Sequence, residues 1–277
     1  MVPASFLQGI LMERIDLERL KGWFRGYCRC FYTDNTENNR NFALKEKHTS
    51  LVCANMNILA DSLTLHNNER QTAQAIALFH DVGRFEQYRR YSTFRDDMSV
   101  NHATLGVRVL AEERVLENIE EKEQQTILRA VTLHNVFRIP AEINDRDIIF
   151  IRMIRDADKL DIWRLFAEYY ELPEAERASA AGLGFPDLPE YSRDLLQRLQ
   201  HREMVHLSTL KTLNDFKLLQ LSWVFDLNFP VSFRLVLERG YIDRLAAALP
   251  TDGEVVKTLR IVRDFVEDNA AKGEDCP

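Results

Sequence analysis

The sequence predicts an all-α fold, and three observations carry that expectation. Apolar residues recur at three- and four-residue spacing through most of the 277 residues. No alternating strand pattern persists anywhere, and no Asn-Gly hairpin signal occurs. Hydrophobic residues make up 45% and charged residues 29%, a balance that can bury a sizeable core in a chain of this length.

The first helix is expected in IDLERLKGWFRGYCRCFY, with Asp16 as N-cap and Leu17, Leu20, Trp23, Phe24, Cys28 and Phe31 on one face. TDNTENNRN follows as a polar loop. A second helix runs from about Phe42 to Leu63 and carries Leu44, His48, Leu51, Val52, Ile58 and Leu59. The third opens at Asn68 and stops at Gly83, a residue suited to the left-handed position after a helix end, so His80 and Asp81 fall in its last turn. After a loop, another helix begins near Asn101. EEKEQQTILRAVTLHNVF is helical, acidic in its first turn as the helix dipole favours, and closed off by Pro140. A long helix extends from about Arg146 to Leu172, with Ile149, Ile151, Ile154, Leu160, Trp163 and Phe166 as its apolar positions.

Around ASAAGLGFPDLPE the composition shifts to Ala, Gly and Pro, which marks a loop. Three or four further helices are expected between Tyr191 and Asp268, and the tail AAKGEDCP reads as disordered. No internal repeat is visible. The expected organisation is a ligand-bearing helical domain over residues 1–175 and a helical C-terminal extension over 176–277, packed on the same core. That extension either covers the site or forms a homo-oligomer contact.

Net charge is −7 and no long basic block occurs, which argues against general nucleic-acid binding. No apolar run approaches the roughly 18 residues of a membrane span. The stretch MVPASFLQGILMER has no basic region ahead of its apolar residues, so it makes a poor signal peptide. Of four cysteines, Cys28 and Cys30 form a C-x-C without a second pair, which argues against a zinc ribbon. Cys28, Cys30, Cys53 and Cys276 read as reduced thiols of a soluble cytoplasmic protein.

The most informative residues are the adjacent His80 and Asp81, accompanied by His48, His102, His134 and Asp158. Imidazoles and carboxylates in this number suit one or two divalent metal ions. His48 alone reads as a buried structural histidine, because it faces the same way as Leu44, Leu51 and Val52. Asp81 lies where the α-helix dipole is negative and wants a positive neighbour. Asp158 shares a register with Ile151 and Ile154, so it should face the core; Asp156 and Asp161 are its competitors. His66, His201 and His206 read as surface residues.

The ordered pattern His48, His80-Asp81, Asp158 resembles the HD-domain superfamily of metal-dependent phosphohydrolases, over residues 44–165. The resemblance implies an HD-type helical bundle in which these four side chains bind a divalent metal. The motif HDVGRFEQYRRYSTFRDDMSVNHATLG is similar to a bacterial subgroup of HD proteins. His102 and His134 match the two histidines that accompany a second metal in that superfamily, and Asp81 would then bridge the ions. The ion itself (Mn, Fe, Mg, Ni or Zn) is not distinguished by these ligands.

The implied activity is hydrolysis of a phosphate ester, a nucleotide or another small phosphorylated metabolite, by water made acidic on the metal. Asp81, Arg84 and Lys159 are the candidate catalytic residues, the two cations serving phosphoryl oxygens. Arg138 is a further cation and Glu86 a weaker general-base candidate, while Arg89 and Arg90 read as neutralised by Glu86, Asp96 and Asp97. The sequence lacks the Gly-Tyr-Pro signature of the cyclic-di-GMP-cleaving branch, HDVGR being followed by Phe85-Glu86-Gln87, which argues against that substrate. A di-iron oxygenase and a non-catalytic regulatory module that retains a metal are the alternatives.

Overall fold

A computed structural model describes the backbone of residues 4–173 and 176–272, with side chains from Leu17 onward. Among the described residues there are helices and turns and no strand. In chain order the α-helices are α1 (Ala4–Arg29), α2 (Thr36–Ser62), α3 (Asn67–Phe79), α4 (Gly83–Tyr91), α5 (His102–Glu112), α6 (Glu121–Leu133), α7 (Asp145–Glu171), α8 (Arg193–Gln200), α9 (Leu213–Ser222), α10 (Pro230–Glu238), α11 (Tyr241–Ala247) and α12 (Gly253–Ala271). The chain divides into two compact units, Met1–Arg155 and Asp156–Pro277. That division falls inside α7, whereas the Ala/Gly/Pro composition shift lies beyond its end.

In the first unit, α3 packs against α1, α2 and α6, and α4 against α2 and α5. Caps set several helix starts: Asn35 Oδ1 accepts the Asn38 N–H at 2.9 Å, and Asn101 Oδ1 accepts the Thr104 N–H at 2.9 Å. His66, not Asn68, is the N-cap of α3, and its backbone N–H donates to Glu69 Oε2 at 2.9 Å. An aromatic cluster holds α4 in place. Phe85 is fully buried, with ring centroids 5.5 Å from Phe31, 6.0 Å from Phe24 and 6.1 Å from Phe42. Such pairs contribute about 0.5–1.5 kcal/mol beyond the area they bury, and they anchor α4 one turn after Asp81.

Three local expectations are corrected. The backbone is helical from Ala4, so Asp16 lies within α1 and does not cap it. Gly83 is not a left-handed stop but the first residue of α4. Its glycine is demanded by a close approach instead: a Cβ there would stand 2.2 Å from the His102 carbonyl oxygen and 2.5 Å from the Gly106 nitrogen. α6 ends at Leu133, several residues before Pro140.

In the second unit, α12 packs against α8, α10 and α11, and α9 against α8 and α11. Five α-helices follow Tyr191 in place of the expected three or four, because short turns divide the apolar runs. Asp156 is fully buried and accepts the backbone N–H groups of Asn228 and Phe229 at 3.0 and 3.2 Å and the Ser232 hydroxyl at 2.7 Å. These donors surround the start of α10, where unpaired N–H groups favour an anion. Trp163 donates its indole N–H to the Gln220 carbonyl at 2.9 Å. Of the tail, residues 273–277, including Cys276, lie outside the described residues. Among the described residues no helix is long and apolar enough to cross a membrane.

Gly83→Ala is expected to lower unfolding stability by about 1–3 kcal/mol, the usual cost of forcing extra volume into a packed contact. Urea unfolding of the metal-free chain reads this directly, and an unchanged midpoint would refute the close-approach account.

Candidate metal centre

His80 and Asp81 occupy the joint between two helices. The His80 N–H still bonds the Ile76 carbonyl at 2.9 Å, closing α3, and the Asp81 carbonyl accepts the Arg84 N–H at 2.9 Å, opening α4. Asp81 therefore sits past the negative end of α3 and just before the positive end of α4, so the two helix dipoles oppose each other there. Burial creates the need for positive partners: Asp81 is 3% exposed. His48 faces it from α2, His102 is the first residue of α5, and His134 follows the end of α6. All three are buried.

The imidazoles are aimed by what their outer nitrogens bond. His80 Nδ1 lies 2.8 Å from the Ala77 carbonyl and His134 Nδ1 lies 2.7 Å from the Val131 carbonyl. Both are carbonyls three residues back, left unpaired at a helix end. Arg155 fixes the end of α6 further, donating to the His134 carbonyl at 3.1 Å and the Val136 carbonyl at 2.5 Å. His102 Nδ1 meets the Asp96 carboxylate at 2.7 and 2.9 Å. In the neutral rings these contacts assign the proton to Nδ1, leaving the Nε2 lone pair facing inward.

The inward nitrogens form two pairs. His48 and His80 Nε2 are 3.2 Å apart, and His102 and His134 Nε2 are 3.0 Å apart. Asp81 lies between the pairs. Its Oδ2 is 3.5 Å from His48 Nε2 and 3.8 Å from His80 Nε2. Its Oδ1 is 3.3 Å from His102 Nε2 and 3.9 Å from His134 Nε2. One ligand atom each from Asp81, His102 and His134 falls within a 4.8 Å sphere of separations. Two acceptor nitrogens 3.0 Å apart repel unless a proton or a cation joins them, so this donor set fits a divalent cation.

The charges agree. Burial alone would raise the Asp81 carboxyl, but Lys45, His80, Arg84 and His102 hold it well below the ordinary carboxylate range. Burial and the nearby Arg84 lower His102, against the opposing pull of Asp96 and Asp81, which favours the neutral ring a metal requires. Asp96 is itself held low by His102, Arg84 and Gln87 against the effect of burial.

Two neighbours of Asp81 and His102 escape sequence reasoning. Lys45 places its ammonium 2.7 Å from Asp81 Oδ2, with the Phe94 ring centroid 5.2 Å away. Its position three residues before His48 on α2 is the signal that was present. Asp96 reads in the sequence as a neutralising surface charge, yet it is the partner of His102.

The other candidate residues have definite places. Arg84 Nε lies 3.4 Å from Asp81 Oδ1, while its Nη1 donates to Gln87 at 2.9 Å, the Phe94 carbonyl at 2.5 Å and Asp96 at 2.9 Å. Lys159 pairs with Asp226 at 2.6 Å in the second unit. Asp158 stands half-buried on α7, just past the division between the units. Its competitors are committed elsewhere: Asp156 to the start of α10 and Asp161 to Arg164 at 2.6 Å. Glu86 is buried and paired with Arg89 and Arg90 on α4. His66, His201 and His206 are exposed.

Residues 46–163 match the family model described as the HD domain. No curated protein and no solved structure is matched.

Asp81→Ala is expected to abolish metal binding, because it removes a carboxylate that faces both histidine pairs. Metal per chain after loading and gel filtration measures this, and wild-type content in the variant would refute the assignment.

Proposed function

Because the chain carries an HD domain over residues 46–163, we propose that it is a metal-dependent hydrolase of phosphate esters, acting on a nucleotide or another small phosphorylated metabolite. HD domains are in general those of metal-dependent phosphohydrolases, and the chain's His and Asp side chains offer a metal site. The observation that carries the reading is Asp81: each of its oxygens faces a separate pair of histidine nitrogens.

In this reading His48, His80, Asp81 and, as the HD pattern implies, Asp158 would hold one ion, and Asp81, His102 and His134 would hold a second. Asp158 is chosen because it lies within the matched segment, and because Asp156 and Asp161 have other partners. When bound, divalent ions supply Lewis acidity and a water acidified toward neutral pH. The chain's own residues do the rest. His102, whose ring is favoured in the neutral form by burial and Arg84, would offer Nε2 as a ligand. Arg84, fixed against Asp81 on one side and Asp96 on the other, would supply positive charge to the phosphoryl oxygens of a substrate. Lys159 is the second candidate cation, and it is paired with Asp226 as Arg84 is with Asp96.

Purified protein is expected to hold one or two divalent ions per chain and to release phosphate or cleave phosphodiesters with added Mn²⁺, Mg²⁺ or Ni²⁺. Two irons, oxygen-dependent turnover and no phosphate release would assign the chain to oxygenase chemistry instead. No bound metal under any loading condition would leave a non-catalytic module.

A paired substitution tests the choice of aspartate. Asp158→Asn is expected to lower metal content by about 10-fold or more with little loss of stability. Asp156→Asn is expected to do the reverse, costing about 1–3 kcal/mol for disturbing a buried hydrogen-bonded group. Equal metal loss in both variants would overturn the assignment.

A further inference from the structure

His102 differs from the other oriented histidines of the centre in one respect. His80 and His134 each follow a helix and donate to a carbonyl three residues back. His102 is the first residue of α5, so no preceding turn of its own helix offers such a carbonyl. Its outer nitrogen needs an acceptor from elsewhere in the chain, and Asp96 supplies it.

Asp96 opens the short 3₁₀ turn Asp96–Met98 between α4 and α5. Its carboxylate receives four side chains: His102 Nδ1 at 2.7 Å, Arg84 Nη1 at 2.9 Å, Gln87 Nε2 at 2.9 Å and Asn135 Nδ2 at 3.2 Å. Gln87 is fully buried and also donates to Ser99 Oγ and the Val100 carbonyl, each at 2.9 Å. The turn is thereby tied to α4, and the carboxylate has little freedom. A carboxylate acceptor does more than a carbonyl: it fixes the ring and makes the inner nitrogen a more basic ligand.

We propose that Asp96 is a positioning residue for the Asp81 Oδ1 side of the centre: it holds His102 with the proton on Nδ1 and Nε2 toward the ion, so that Asp96 sets the metal affinity of this half and not that of the His48–His80 half, although Asp81 faces both. The proposal rests on the metal-binding reading above and adds to it a division of affinity between the two halves.

Two measurements test it on the full chain. Nitrogen-15 NMR of the metal-free protein reads the His102 tautomer, assigned with His102→Gln. The wild type is expected to carry the proton on Nδ1, and Asp96→Ala to shift it toward Nε2, where Asp81 Oδ1 at 3.3 Å is the acceptor that remains. Titration with Mn²⁺ alone, followed by metal analysis, reads the two affinities. Asp96→Ala and the isosteric Asp96→Asn are expected to weaken one Mn²⁺ by about 10–100-fold and leave the other within about 3-fold. Ser99→Ala loosens the same turn without touching His102 and is expected to bind both ions as the wild type does.

Equal weakening of both ions, or weakening by Ser99→Ala as severe as by Asp96→Asn, would reduce Asp96 to a structural role and overturn the proposal. An unchanged tautomer in Asp96→Ala would overturn it as well. A wild-type chain that binds no Mn²⁺ would sink the metal reading and the affinity division together, while the tautomer measurement still decides whether Asp96 orients His102.

Discussion

The constraint on which the first unit depends is the burial of one charge. Asp81 is 3% exposed, and a carboxylate in that position is unfavourable by several kcal/mol unless positive or hydrogen-bonding groups surround it. The helices around it each contribute such a group: Lys45 and His48 from α2, Arg84 from α4, His102 from α5 and His134 from the end of α6. Packing then serves this arrangement. The aromatic cluster around Phe85 anchors α4, and the contact between Gly83 and α5 lets the backbone carrying His102 come within reach.

The second unit solves the same kind of problem by different means. Asp156 is as deeply buried as Asp81, but two backbone N–H groups, the Asn228 amide and the Ser232 hydroxyl surround it instead of imidazoles. Its carboxyl is pushed above the ordinary range by burial, with Lys159 and the hydrogen bonds opposing, whereas cations hold Asp81 below that range. Two aspartates with similar burial therefore have opposite titration behaviour. Partner chemistry, not depth, separates a helix anchor from a candidate ligand.

Most of the helices were legible, because three- and four-residue spacing reports which face is buried whatever that face contacts. His80, Asp81, His102 and His134 were legible as a set because the residue types are unusual together. Lys45 and Asp96 were not. A lysine on an amphipathic helix and an aspartate in the run Arg95-Asp96-Asp97 look like ordinary surface charges until the tertiary structure brings them to Asp81 and His102. Gly83 was misread for a related reason: sequence shows that glycine is tolerated, not whether a turn or a neighbouring backbone demands it. Asp16 failed more simply, since a capping residue type says nothing about helical turns that precede it.

The contact between Lys45 and Asp81 bears on the order of assembly. Domains that rely on an ion to neutralise buried ligands stay unfolded until the ion arrives. Here an ammonium 2.7 Å from the carboxylate provides a compensating charge from within the polypeptide. The buried carboxylate therefore has a compensating charge before any cation arrives, and folding of this unit need not wait for one. If the centre takes a metal as proposed, its supply would govern how much of the protein is loaded, not how much of it exists.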